Sequence, residues 1–281
     1  MKEKSWVCSL VAQLSLCIAV YVALSTGGQP QKSDVYFASV GGGFRPLQEQ
    51  TLLLQQMVKV AKTFNVRFVI NISELGEHDP LLKNASRHPE LRKIPWYTTK
   101  ASKRQGKDYF VDRIRMPYGQ ALDIIALDTK LVQNLSSVPG KDQLQWLMRT
   151  LNKSDANWKI VVGFHQLFTY DYNTQKIKEQ ETNFKPLLST LLRYGVDAYM
   201  SSSHIHSDQV QREAMLLTSI GPTDKGPCVI SLNQNTVPLV ETANGFLLHS
   251  VTSLEMVTFF VTLAGDVENR VSFRQRGRAV M

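Results

Sequence analysis

The sequence predicts an α/β sandwich with helices on its outside. Two patterns carry this prediction. The first two-thirds of the chain alternates apolar runs of strand length with segments of helical period, and the last third consists of apolar runs typical of antiparallel hairpins. A chain of 281 residues is long enough to bury a sizeable core. With 43% hydrophobic and 20% charged residues, it is neither disordered, nor collagen-like, nor a coiled coil.

Each predicted element follows from its local pattern. A short β-type run at 35–40 ends in three glycines, Gly41 to Gly43. The apolar residues of the next segment recur at roughly helical spacing: Leu47, Leu54, Met57, Val58, Ala61 and Phe64. The following runs predict strands at 67–72, 109–116, 121–127, 158–163 and 196–200, helices at 143–151 and 184–194, and final β-type runs at 215–219, 228–232, 246–251 and 256–263. Residues 76–108 are polar and basic, without a clear period.

The N-terminus carries an uncharged run from residue 6 to residue 25, preceded by Lys2 and Lys4. About 20 residues at about 1.5 Å each would just cross a hydrocarbon core of about 30 Å. This pattern predicts a membrane signal-anchor with the rest of the chain lumenal or extracellular. The alternatives are a signal peptide cleaved near Ala23-Leu24-Ser25, which would give a secreted protein, and a buried N-terminal helix. Residues 1–33 are assigned to this segment and a short linker, and 34–281 to the folded domain.

Charge and cysteine content narrow the class of protein further. The 32 Lys and Arg against 24 Asp and Glu give a formal charge of +8, which suits contact with anionic surfaces without indicating nucleic acid. Two of the three cysteines, Cys8 and Cys17, lie in the N-terminal run. The domain, left with Cys228, must therefore fold without an internal disulfide.

Four Asn-x-Ser glycosylation sequons begin at Asn71, Asn84, Asn134 and Asn152. Several are expected by chance in a chain of this length, so they support a lumenal glycoprotein only weakly. Asn71 ends an apolar strand, where a glycan would not fit.

The segment from Arg87 to Lys107 carries seven Lys or Arg and one Glu. Such a segment is either a solvated loop or a surface for an anionic ligand. It lacks the interleaved aromatic residues of a single-strand nucleic-acid groove, so no nucleic-acid partner is expected. Two further motifs are incomplete. After Gly41 to Gly43, Pro46 stands where a dinucleotide-binding loop needs its last glycine. Ser201–Ser203 lie beside His204 but are not part of a Gly-x-Ser-x-Gly elbow.

Several segments resemble, in order, those of the purple acid phosphatases, a family of calcineurin-like metallophosphoesterases. They are Ile94-Pro95-Trp96-Tyr97, Ala126-Leu127-Asp128-Thr129, Gln143-Leu144-Gln145-Trp146-Leu147, the strand at 158–163, the run at 194–199 before two histidines, and the closing hairpin at 245–256. The resemblance covers about residues 35–275. It implies a four-layer αββα sandwich, here preceded by one N-terminal hydrophobic helix. In the family, two metal ions hold a phosphate and generate a hydroxide.

Most metal-ligand positions that the resemblance implies are altered in this sequence. Gly42 stands in place of the first aspartate, Glu74 of the bridging aspartate, Glu77 of the tyrosine, Ser102 of the asparagine and Phe164 of a histidine. Only the last motif keeps its two histidines, His204 and His206. The sequence therefore predicts a pseudophosphatase without catalytic residues or a bound cofactor, held at a membrane as a scaffold or binding subunit for an unknown protein partner.

Two alternatives keep a ligand at the site. A residual phosphomonoesterase would hold one Fe, Zn or Mn ion weakly on His204, His206 and Glu74, with Lys103 or Arg104 binding the phosphate. An anion-binding module would use Lys103 and Arg104 without hydrolysis.

Overall fold

Two mixed β-sheets with helices on their outer sides make up the part of the chain that this computed structural model describes. The described residues are 34–73, 75–99, 109–165, 167–171, 176–179, 182–207, 210–219, 228–230 and 245–275. All of them belong to one compact unit, Asp34–Met281.

The first sheet contains β1 (Val35–Gly41), β2 (Val69–Ile72), β3 (Trp96–Thr98), β12 (Gly245–Val251), β13 (Glu255–Thr262) and β14 (Val267–Arg274). Its strand order is β14-β13-β12-β1-β2-β3. The strands β1, β2 and β3 are parallel, and the three from the end of the chain are antiparallel to their neighbours. The carboxyl ends of β1 and β2 therefore meet at one edge of the sheet.

The second sheet contains β4 (Phe110–Arg115), β5 (Ala121–Ala126), β6 (Trp158–Val162), β9 (Ala198–Ser207), β10 (Val210–Ser219) and β11 (Cys228–Ile230), in the order β11-β10-β9-β6-β5-β4. The central strands β5, β6 and β9 are parallel, and the outer pairings are antiparallel. A separate two-stranded sheet joins β7 (Phe168–Asp171) to β8 (Lys176–Glu179).

The helices are α1 (Leu47–Phe64), α2 (Pro80–Ala85), α3 (Pro89–Arg92), α4 (Thr129–Gln133), α5 (Val138–Lys153) and α6 (Lys185–Arg193), with 3-10 turns at Gly76–His78, Pro117–Gly119 and Thr182–Phe184. Three helices begin at a side-chain cap. Asp79, Asp128 and Ser137 each accept a hydrogen bond from a backbone N–H of the first turn.

Three buried apolar clusters define the layers. The central cluster lies between the sheets and takes side chains from both, among them Phe37, Phe68, Ile124, Ile160 and Met200. A second cluster packs α5 and α6 on the second sheet, and a third packs α1 and α2 on the first. The predicted α/β sandwich of two sheets with outer helices is therefore confirmed.

The stretch at 76–108, which shows no clear period in the sequence, contains α2, α3 and β3. Its two helices, of six and four residues, are too short to display a helical period. The helix predicted at 143–151 begins at Val138. The short helix α4 and the strand β14 were not predicted.

The predicted N-terminal hydrophobic helix at 6–25 lies outside the described residues. Within the described ranges, no helix combines the length and the apolar character needed to cross a membrane.

Candidate functional site

Gly42 lies directly after β1, at the edge where β1 and β2 end, and its N–H donates to the Ile72 carbonyl at 2.8 Å. A β-carbon at this position would be 2.5 Å from the Ser73 Cβ and 2.7 Å from the Asn71 Oδ1, with the Asp79 Oδ2 closer still. The side chains of Asp79, Ser73 and Asn71 therefore occupy the space that a side chain at position 42 would need. Gly42 is itself buried.

Asp79 holds this edge together. Its side chain is fully buried, and its Oδ1 accepts from the Leu81 N–H at 2.7 Å, which caps α2. Its Oδ2 accepts from the Gly43 N–H, also at 2.7 Å. One carboxylate therefore connects the loop after β1 to the start of a helix. The sequence did not single out Asp79, although an aspartate before Pro80 is a typical helix-start signal.

Asn71 and Ser73 are two further buried polar residues at this edge. Neither amide atom of Asn71 has a hydrogen-bond partner among the described residues, although the side chain is fully buried. Ser73 is held on both sides: its N–H donates to the Thr99 Oγ1 at 3.2 Å, and its Oγ accepts from the Leu75 N–H at 3.1 Å. The burial of Asn71 agrees with the expectation that a glycan would not fit there.

Two of the altered ligand positions follow β2. Glu77 is exposed on the turn Gly76–His78. Glu74 lies outside the described residues, as do Ser102, Lys103 and Arg104. The structure therefore places Gly42 and Glu77 on neighbouring loops.

Phe164, the residue at the position of a family histidine, belongs to the apolar core. Its side chain is 6% exposed and joins the central cluster between the two sheets. Its ring meets the adjacent His165 edge-on, with 5.3 Å between centroids. The aromatic ring thus extends the core to the end of β6.

His165 is held by hydrogen bonds to the surrounding framework. Its Nδ1 lies 2.7 Å from the Thr129 Oγ1, and its backbone N–H donates to the same hydroxyl at 3.1 Å. Its carbonyl accepts from the Tyr199 hydroxyl at 2.6 Å. Burial raises the pKa of Tyr199 well above its ordinary range, so this phenol stays a donor. These contacts fit a structural histidine.

His204 and His206 occupy alternate positions of β9, opposite Glu213 and Gln211 of β10. Alternate residues of a strand share one face of the sheet, so the backbone places both histidines on the same side. Among the side chains that the structure describes, no three His, Cys, Asp or Glu residues are grouped to hold a metal ion.

A second buried polar cluster lies in the interior of the first sheet. The His249 Nε2 is 2.6 Å from the Ser39 Oγ, and its Nδ1 is 2.8 Å from the Thr258 Oγ1. All three side chains are fully buried, and the imidazole stacks on Phe37 with 4.4 Å between centroids. Burial lowers the pKa of His249 to about 3, so the ring is neutral. The sequence did not indicate this cluster, because His249 stands alone in an apolar strand.

The chain is 25% identical to Purple acid phosphatase 17 of Arabidopsis thaliana over a gapped alignment of 326 positions, which covers 92% of this chain and 93% of the relative. Among solved structures, GAP50, described as the anchor in the inner membrane complex of Plasmodium, matches with a TM-score of 0.57 at 17% identity, covering 88% of this chain and 91% of that chain. No protein-family model matches the chain. The predicted resemblance to the purple acid phosphatases is confirmed, and the fold is phosphoesterase-like.

Proposed function

We propose that this chain is a catalytically inactive, purple acid phosphatase-like protein that is tethered to a membrane and acts as a scaffold or binding subunit. The environment of Gly42 carries the proposal. The resemblance places an aspartate ligand of the first metal ion at this position, and glycine has no side-chain donor. The space that such a side chain would need is filled by Asp79, Ser73 and Asn71.

The Asp79 carboxylate has a structural role at this edge. Both of its oxygens accept backbone hydrogen bonds at 2.7 Å, one from the loop after β1 and one from the first turn of α2. A carboxylate engaged in this way stabilises the loop and the helix start.

Phe164 supports the same conclusion at the second metal position. A phenyl ring offers no ligand atom, and this one is packed into the central core. The two-metal mechanism needs ligands that hold both ions a few ångströms apart. With Gly42 and Phe164 in two of the ligand positions, the donor set does not fit such a centre.

The membrane and scaffold parts of the proposal have separate support. The uncharged run at 6–25 has the length of a membrane span. GAP50, which shares the fold, is described as an anchor in a membrane complex. A protein that keeps the phosphatase fold but lacks the metal ligands is suited to a role in binding. We expect its partner to be another protein.

Catalytic inactivity is tested on the full chain purified in detergent. Elemental mass spectrometry should find no stoichiometric metal, and an aryl phosphate should show no turnover above background. A purple acid phosphatase assayed in parallel is the positive control. Two metal ions per chain together with turnover would overturn the proposal.

The residual phosphatase is the second candidate, because the backbone of β9 places His204 and His206 on one face. It requires metal-dependent turnover that disappears in His204→Ala. The matched control is His78→Ala, which removes an exposed imidazole outside the ligand motifs. Activity that survives His204→Ala would exclude this candidate.

Membrane tethering is tested by flotation of the full chain with phosphatidylcholine vesicles and by its resistance to carbonate extraction. Leu14→Arg with Ile18→Arg should abolish both, because a charged side chain in the centre of a span is costly. Gly27→Arg with Gly28→Arg adds the same charge after the apolar run and should leave flotation intact. Loss of flotation in both double variants would contradict a span at 6–25.

A further inference from the structure

The end of the domain at which the parallel strands begin is distinct from the end that carries the candidate site. Asp34 precedes β1, and Val35 pairs with Val251 at the end of β12. Asp34, the first described residue, therefore lies at the end of the domain where the parallel strands start. Gly42 follows the opposite end of β1.

Two large apolar side chains protrude at this strand-start end. Leu254, in the turn between β12 and β13, is 71% exposed. Tyr118, in the turn between β4 and β5, is 87% exposed and has a φ of 59°, in the left-handed region that non-glycine residues rarely adopt. Each sheet thus contributes one exposed apolar residue.

Hydrogen bonds place the two turns at the same end of the molecule. The Gln275 N–H donates to the Leu254 carbonyl at 2.7 Å, and the Gln275 side chain donates to the Asn157 carbonyl at 2.5 Å. The Asn157 N–H in turn donates at 2.9 Å to the carbonyl of Ala121, the residue that begins β5 after the Tyr118 turn. The turns are therefore linked through a short series of contacts.

Exposed cations lie at this end of the two sheets, most of them where a helix ends before a strand start. They are Lys62, Arg67, Arg92, Lys93, Arg115, Lys153 and Arg193. The nearby carboxylates of Glu90 and Asp155 are ion-paired, with Lys62 at 2.9 Å and with Arg113 at 2.7 Å. Asp34 accepts hydrogen bonds from Tyr36 and Ser250. Glu255, next to Leu254, is a further, half-buried carboxylate at this end. The cations still outnumber these carboxylates, so the surface has a positive excess.

Some of these cations have a second role within the fold. Lys62, Lys153 and Arg193 stand in the last turns of α1, α5 and α6, where a cation offsets the helix dipole. Arg67 and Arg115 are in no helix, so this role does not account for them.

We propose that this strand-start surface, defined by Arg67, Arg115, Tyr118 and Leu254, rests on an anionic lipid bilayer. The inference rests on the proposed membrane tether and adds which face of the domain meets the membrane. Tyrosine and leucine suit the headgroup and upper acyl region, and arginines are attracted to anionic headgroups. The loops that follow β1 and β2 then face away from the membrane, where a protein partner can reach them.

The test uses the full chain in vesicles of phosphatidylcholine with about one-third phosphatidylserine. Cys8, Cys17 and Cys228 are changed to Ser, and one cysteine is introduced for an environment-sensitive fluorophore: Tyr118→Cys, Leu254→Cys or, as the control at the opposite end, Glu77→Cys. Labels at 118 and 254 should shift to the blue and be quenched by brominated lipids. The label at 77 should do neither.

Arg67→Glu with Arg115→Glu should reduce the quenching of the label at 118 in these vesicles without preventing flotation. The same pair of changes should have less effect in pure phosphatidylcholine, where the electrostatic attraction is absent.

The outcomes separate this inference from the proposal on which it rests. Failure of the chain to float with vesicles would overturn membrane tethering itself. A chain that floats while the label at 118 stays as accessible to water as the label at 77 would overturn only the orientation. A label at 118 that is shielded from aqueous quenchers but not quenched by brominated lipid would indicate a protein surface instead.

Discussion

Two fully buried polar clusters lie in the first sheet, and they differ in how their hydrogen bonds are satisfied. In the interior cluster, both ring nitrogens of His249 have a hydroxyl partner, Ser39 on β1 and Thr258 on β13. At the strand-end cluster beside Gly42, Asp79 is fully engaged, but both amide atoms of Asn71 lack a partner among the described residues.

The difference teaches which polar groups the fold uses for stability. A buried polar group without a hydrogen bond costs free energy, so unsatisfied groups are rare away from functional sites. The interior cluster fits a purely structural role, because each ring nitrogen of His249 has a hydroxyl partner. The strand-end cluster lies where the resemblance places a metal ligand, and its incomplete hydrogen bonding supports the proposal that an inherited site has lost its original use.

The largest effect is expected for Gly42→Asp, which returns the family's residue to the strand-end cluster. The new side chain would collide with Asp79, Ser73 and Asn71 and would place a second carboxylate beside that of Asp79. We expect the free energy of unfolding to fall by at least about 3 kcal/mol, measured by urea denaturation.

Two companion variants separate the causes of that loss. Gly42→Ala adds only the methyl group and should show the steric part alone. Phe44→Asp adds a carboxylate two residues away on an 86% exposed side chain and should change stability little. A stable Gly42→Asp protein would mean that Asp79 can move away, and would remove the main support for a filled site.

The interior cluster should make stability depend on pH. The pKa of His249 is about 3 in the folded domain and about 6.5 when the chain is unfolded. Between these values the unfolded chain takes up a proton that the folded domain does not. Stability should therefore fall as the pH drops from about 6.5 towards 3, by at most about 1.4 kcal/mol per pH unit from this group.

His249→Gln removes this titration and should flatten the stability profile over that range, after the response common to both proteins is subtracted. The matched control is His78→Gln, which removes an exposed histidine and should leave the slope unchanged. Equal slopes in the wild type and His249→Gln would show that the imidazole is not held neutral. The measurement is urea denaturation at a series of pH values.

The elements that the sequence predicted well have strong local patterns. The apolar runs at 121–127 and 158–163 became β5 and β6, and the helical spacing after Gly43 became α1. The residues that decide the state of the site depend instead on distant contacts. Asp79 reaches the loop after β1 from 36 residues further along the chain, and the partners Ser39 and His249 are 210 residues apart. No local pattern contains such information, because it arises only when strand pairing and register are fixed.

The smallest effect, of opposite sign, is expected at Asn71. Asn71→Val removes two buried polar atoms that have no described partner and leaves an apolar β-branched residue, which suits a buried strand. We expect the free energy of unfolding to rise by about 1 kcal/mol, whereas Thr258→Val in the interior cluster should lower it by about 1–3 kcal/mol because His249 loses a partner. Asn152→Val, at an exposed position, is the surface control. A loss of stability in Asn71→Val would show that its amide donates to a neighbour such as Asp79, which would make the two clusters alike.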